Sequence, residues 1–313
     1  MAHLGEIISL VVAVLWTATA LFADEASRRI GSLSANVIRL SLASVFLALL
    51  LWVTLGRPWP VYADGKAWLW VSLSALVGYV FGDWCLFNCY LSIGARFGQL
   101  FMTLAPPIAA IAGWMLLGER LRPTIWLAMA VTLGGIALSI LGREDGGRHR
   151  LSFTLPLKGI LLGLGAGLGQ GFGLVLSKIG LQHYSAALPA EVPASMGKMR
   201  PFASTMVRAL VGALGFLLLM AVRREMPRLR AALRDRKGMS YALGMTLFGP
   251  VFGVSLSLMA VQYTDAGIAS TLMALTPVLI LLPSALLYRQ RIRPKEWIGA
   301  VVSILGVALF FLL

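Results

Sequence analysis

Four charged side chains fall inside long apolar runs: Arg39, Asp83, Lys178 and Arg208. A charge at bilayer depth is costly and by default marks an ion, substrate or gating site. Arg39 stands about six residues and Asp83 about eight residues in from the same side, so at about 1.5 Å per residue their depths agree within roughly 3 Å. The two are therefore expected to form an ion pair. That pair either locks two helices together, or acts as a gate or a proton-binding carboxylate. Arg208 has no obvious acid at its depth. It leaves net positive charge in the bundle, which suits an anionic or zwitterionic solute, although a backbone carbonyl would also serve it. Lys178 lies near the end of its run and reads either as part of a gating ion pair or as a side chain snorkelling to the headgroups.

Around these charges stand polar and aromatic residues suited to a ligand. Asn88, Gln99, Thr103, Gln170, Ser255, Ser257, Gln262, Ser270 and Thr271 offer hydrogen bonds. Trp16, Tyr79, Trp84 and Tyr263 offer an aromatic lining, though each also fits plain packing or an interfacial anchor. Pro106 and Pro277 each remove a helix hydrogen bond and predict kinks at matched positions. Cys85 and Cys89 lie four apart without a His or acid at ligand spacing, and read as small packing residues rather than a metal site. His3, His149 and His183 fall in loops or near the terminus, and Asp83 is the one acid expected well inside the bundle. An enzyme pocket would need several such groups together. There is no Gly-Lys-Ser/Thr phosphate loop, so ATP is not expected to drive the protein, and no cofactor is expected.

These residues must be positioned by membrane helices. The chain has 313 residues, 58% hydrophobic and only 13% charged. Apolar runs of roughly 20 residues recur from end to end, each able to cross about 30 Å of hydrocarbon. Ten spans are predicted, near 4–23, 33–55, 67–91, 97–118, 122–142, 158–181, 201–222, 239–262, 267–288 and 294–313. The runs are too long and unbroken for barrel strands. The first lacks a basic leader and a cleavage site and is expected to stay as a helix. The formal charge of +14 fits Lys and Arg collecting in cytoplasmic loops and does not call for nucleic acid. The lipid bilayer and a small-molecule solute are the expected partners, with a monomer or a homodimer both open.

One stretch occurs twice. Displaced by 171 positions, Phe81 to Leu138 falls on Phe252 to Leu309 without a gap. Pro106 meets Pro277, Arg122-Pro123 meets Arg293-Pro294, and Trp126 meets Trp297. Further back Arg39 matches Arg208, and Gly5 matches Gly159. Residues 1–145 and 158–313 thus read as two five-helix repeats. An odd number of spans per repeat turns the second upside down, the inverted-repeat architecture of transporters. The sixth run carries Gly159, Gly163, Gly167 and Gly171 and, offset from them, Gly165, Gly169 and Gly173. Four-residue spacing of small residues predicts close helix packing.

Two five-helix halves, each with a central Pro, a basic turn and a closing Gly-rich helix, resemble the drug/metabolite transporter superfamily, and within it the EamA-type permeases. The turn Gly118-Glu119-Arg120-Leu121 matches the end of that family's fourth helix; the second copy departs from it as Arg289-Gln290-Arg291-Ile292. The resemblance implies that helices one, three, four, six, eight and nine face a central cavity and that five and ten are peripheral. The four-helix multidrug relatives bind cations through a Glu in the first helix. Trp16 stands there in this chain, which argues against that cation antiport. The leading function is a permease, read as an exporter, for small amino-acid-like, anionic or zwitterionic metabolites in a bacterial or archaeal cell membrane. A membrane-embedded transferase and a multidrug or sugar-phosphate transporter are the alternatives. Loops on the side away from the termini carry eighteen Lys and Arg against six on the other side. This charge count puts the termini outside, whereas the resemblance implies termini inside.

Overall fold

A computed structural model describes residues 3–60, 62–142, 156–187, 194–281, 283 and 293–312. Among them there are helices and no strands, as backbone groups in lipid require. Among the described residues nine helices are long and apolar enough to cross a membrane, and the apolar stretch Ala266–Leu279 is shorter. The later part of the predicted ninth span, the loop basic residues Arg143, Arg148, Arg150, Arg289 and Arg291, the Arg289–Ile292 turn and His149 lie outside the described residues.

The first half runs α1 (Leu4–Ile30), α2 (Ser32–Leu55) and α3 (Gly65–Ala75), which passes into a π-helical segment, Leu76–Asp83. Then come α4 (Trp84–Met102), α5 (Ala105–Leu117) and α6 (Pro123–Gly142). The second half runs α7 (Leu157–Ala186), α8 (Ala194–Val222), the short α9 (Met226–Ala232) and α10 (Arg236–Thr246). A second π-helical segment, Leu247–Val254, leads into α11 (Ser255–Tyr263), α12 (Ala266–Met273), α13 (Thr276–Leu279) and α14 (Pro294–Leu312). The two π segments stand 171 positions apart, the displacement of the sequence repeat. Such wide turns are rare and frequent at functional sites.

The glycines of α7 explain how the chain folds around it. A Cβ on Gly180, Gly173, Gly169, Gly165 or Gly159 would meet Val71, Gly78, Gly82, Cys85 or Ile93, in antiparallel order. Gly163, Gly167 and Gly171 face Phe101, Leu104 and Ile108 in parallel order. The chain therefore reverses between Ile93 and Phe101, inside α4. Apart from Gly159, which joins the antiparallel set, the two offset glycine rows serve two different neighbours, and each brings a backbone within side-chain reach. A second glycine seam joins α6 to α14. Thr132 meets Gly306, Gly135 meets Ser303 and Ser139 meets Gly299, so these two helices pack antiparallel. Thr132 and Gly135 are the repeat mates of Ser303 and Gly306, which makes the contact self-complementary.

The prolines break rather than bend the fourth and ninth runs. Thr103 and Leu104 form tight turns onto Leu100 and Phe101, and Pro106 opens α5 just after them. Pro277 takes the corresponding place in α13. Each ring can sit in a first helical turn, where its missing N–H has no intrahelical partner to lose. Most hydroxyls inside the spans bond to a carbonyl of the preceding turn, as Ser9, Thr17, Thr132, Ser177 and Thr271 do, and so are satisfied within their own helix.

Candidate functional site

The two π segments, α1, α4 to α5, α7 and the α12–α13 break enclose a cavity of about 320 Å³. Its charged lining, among the described residues, is Arg39, Asp83 and Arg208. Arg39 Nη2 donates to Asp83 Oδ2 at 2.8 Å. Gln170 Nε2 donates to Asp83 Oδ1 at 2.8 Å and to the Gly78 carbonyl at 3.2 Å. Gly78 and Gly173 stand backbone to backbone, which lets Gln170 of α7 reach into the first π segment. Both oxygens of Asp83 are therefore engaged.

Tyr79 lies between the two arginines. The Arg208 guanidinium carbon is 4.6 Å and that of Arg39 5.9 Å from its ring centroid. Arg208 is 5% exposed and forms no salt bridge among the described residues. Its Nε, the Arg39 Nε and the Tyr79 hydroxyl have no hydrogen-bond partner among the described residues. The ring face offers Arg208 a cation–π contact but no acceptor. Two guanidinium groups against one carboxylate leave the cavity wall cationic.

Another part of the lining is apolar. Pro250 and Val254 of the second π segment line it, with Trp16 packed on Gly253 and Leu174 and Met273 beside them. Pro250 and Val254 are the repeat mates of Tyr79 and Asp83. The displacement by 171 points to them, but neither side chain carries chemistry that would mark a site on its own. Gln99, Thr103, Ser270, Pro106 and Pro277 also line the cavity, and so does Ser257, whose hydroxyl is spent on the Val254 carbonyl. Trp84, Asn88, Ser255 and Gln262 do not. Asn88 donates to the Trp84 carbonyl. Ser255 is fully buried in packing, and Gln262 lines a separate hollow with Lys178, Arg200 and Tyr263. Arg39 and Arg208 add helices α2 and α8 to the set expected to face the cavity; α6 and α14 contribute nothing to it. α8 starts at Ala194 rather than near residue 201, so Arg208 lies further from the start of its helix than the predicted span 201–222 puts it.

A second buried ion pair lies at the end of the bundle that carries Leu4. Lys178 Nζ lies 2.7 Å from Glu119 Oε1 and donates to the Thr264 carbonyl at 2.7 Å. Glu119 Oε2 accepts from the Ala266 N–H, the start of α12, at 3.0 Å. Thr264 Oγ1 donates to Glu6 of α1 at 3.1 Å. Lys178 does not snorkel: it ties α7 to the turn after α5 and the turn before α12. Asp83 is accordingly not the one buried acid of the bundle. Glu119 was legible as part of the Gly-Glu-Arg-Leu turn, but nothing in the sequence set Lys178 opposite it. Asp265, beside this cluster, is held above the usual carboxylate range by burial and by Glu119, with Lys178 pulling it back and Glu6 adding to the repulsion. Among the described residues no group of three metal-ligating side chains occurs.

The model of the EamA-like transporter family matches residues 3–141 and 157–312. An uncharacterized transporter of the cyanobacterium Synechocystis is 23% identical over 268 residues, which is 84% of this chain and 77% of that protein. A putative permease-like protein of Bacillus subtilis, YdzE, is 35% identical over 52 residues, 17% of this chain and 67% of that one. A solved crystal structure superposes over 98% of this chain and 96% of its own with a TM-score of 0.70 at 16% identity, a likeness of fold. With its apolar helices and a family match over nearly its whole length, the chain is a multi-pass integral membrane protein that belongs to the EamA-like transporter family.

Proposed function

We propose that the protein is a permease that moves small amino-acid-like, anionic or zwitterionic metabolites by alternating access, in the direction of export. The single observation that carries this reading is the central cavity with its cationic wall, lined from both halves of the chain. The two halves act as inverted repeats, 1–145 and 158–313, that rock about this site. The antiparallel, self-complementary seam between α6 and α14 supports that arrangement, as do the paired π segments. The buried Lys178–Glu119 pair at the Leu4 end supports a closed gate there. The family match points to a transporter rather than an enzyme.

The test is solute exchange. Proteoliposomes of both orientations are loaded with a metabolite extract, and the solutes that cross are identified by mass spectrometry against protein-free vesicles. Selective, saturable movement is expected, faster in the export direction. Vesicles whose contents match the protein-free control sink the reading.

A further inference from the structure

We infer that the solute is an organic monoanion with an apolar body, whose carboxylate docks on Arg208 beside Tyr79. The inference rests on the reading that the central cavity is the solute site. It narrows the anionic and zwitterionic classes to one.

Three observations carry it. First, Arg208 is a buried cation on the cavity wall, with its Nε unpaired and no salt bridge among the described residues. A buried guanidinium without an anion is costly, and a carboxylate supplies the missing acceptor in a two-pronged geometry. The Tyr79 hydroxyl, also without a partner among the described residues, adds a donor. Second, the one carboxylate on the described cavity wall is not available to an ammonium. Asp83 Oδ2 is held by Arg39 and Oδ1 by Gln170, both at 2.8 Å. An amino acid would bring its ammonium beside two guanidinium groups with no free counter-charge. Third, Trp16, Pro250, Val254, Leu174 and Met273 give the lining an apolar stretch with contact area and few donors, which suits an apolar solute body.

The experiment measures binding to the purified full chain in detergent, by shift of the melting temperature and by quenching of tryptophan fluorescence. Four probes share one skeleton: 3-phenylpropanoate, its neutral amide, phenylalanine and phenethylamine. The first should bind about ten- to hundredfold tighter than each of the others, the effect of one charge-assisted hydrogen-bonded pair. Arg208→Gln should erase the preference, and Arg208→Lys, which keeps the charge without the fork, should keep part of it. The wild-type series decides the matter even if a variant fails to fold. Phenylalanine or phenethylamine binding as tightly as 3-phenylpropanoate overturns the inference. So does an anion preference that survives in folded Arg208→Gln, and so does binding of none of the four. A chain that exchanges other solutes in the vesicle assay but fails here refutes the substrate class alone. A chain that exchanges nothing there while binding the anion refutes the transport reading instead.

Discussion

The two π segments are the same backbone device carrying opposite side chains. Leu76–Asp83 presents Tyr79 and Asp83 to the cavity, while Leu247–Val254 presents Pro250 and Val254 at the matching positions. Their partners differ in the same sense. Gln170 of α7 hydrogen-bonds the first segment, and its repeat mate Trp16 of α1 packs on the second. The sequence asymmetry extends further: Glu119 makes an ion pair, and the residue 171 positions on is Gln290, which has no charge. The duplicated element is thus the frame, and the divergence between copies is what gives the cavity one charged and one apolar wall.

The largest expected effect tests the charged wall. Asp83→Asn leaves Arg39 without its counter-charge, and losing one partner of a buried pair costs roughly 3–5 kcal/mol. Arg39→Gln should cost a similar amount, and the double variant should recover part of both losses in a double-mutant cycle. Val254→Asn, the matching change in the other segment, should cost far less because no ion pair is broken. Unfolding of the detergent-solubilised protein reads all four. Absence of coupling between Arg39 and Asp83 would remove the contrast between the two walls.

A smaller effect separates the two segments by what they pack against. A Cβ on Gly173 would lie 2.8 Å from the Gly78 Cα and 3.1 Å from its N, both backbone atoms that cannot turn aside. Gly173→Ala should therefore destabilise by roughly 1–3 kcal/mol, as overpacking does. A Cβ on Gly249, the mate of Gly78, would lie 3.1 Å from Thr19 Cγ2, a side chain that can yield. Alanine favours helix over glycine by about 1 kcal/mol, so Gly249→Ala should be neutral or slightly stabilising. Melting temperatures of the two variants compare them directly, and equal losses would mean that both segments are equally tight.

Much of the frame was legible in the sequence because it is written in periodic signals. Apolar run length predicted the nine long helices found among the described residues, and the four-residue glycine rows predicted close packing of α7, though not that they face different neighbours. The Arg39–Asp83 pair was legible because both residues are charged and their depths could be counted along straight helices. The Lys178–Glu119 pair was not, since it joins a helix to a turn and no periodicity fixes where a turn points. The start of α8 was set too late, near residue 201, because the polar residues before Pro201 hid its first turns. Trp84, Asn88 and Ser255 look like ligand groups by type, yet which face of a helix meets the cavity depends on its rotation. The π segments change that rotation locally and leave no composition signal.

The smallest effect asks whether the two ends of the bundle close by different chemistry. Asp265 precedes α12 beside Glu119, Lys178 and Glu6, which face it from the turn after α5, from α7 and from α1. Burial and like charge hold its carboxyl above the usual range while this end is shut. The shut state therefore binds a proton more tightly than the open state, where water reaches the group. Falling pH should favour closure, and the contribution is lost as pH rises through the raised value. The window runs from the ordinary carboxylate range upward to that value. Asp235, in the loop region before α10, behaves oppositely: hydrogen bonds from the Gly238 N–H and Arg29 hold it below the usual range, so it stays ionised and adds no response in this window. Spin labels on Arg57→Cys and Arg120→Cys, in a background lacking Cys85 and Cys89, would report the separation across the Leu4 end. The distance should shorten as pH falls toward the ordinary carboxylate range. Asp265→Asn should flatten that response and Asp235→Asn should leave it intact. A response that persists in full in Asp265→Asn would show that the ionic end closes without a proton.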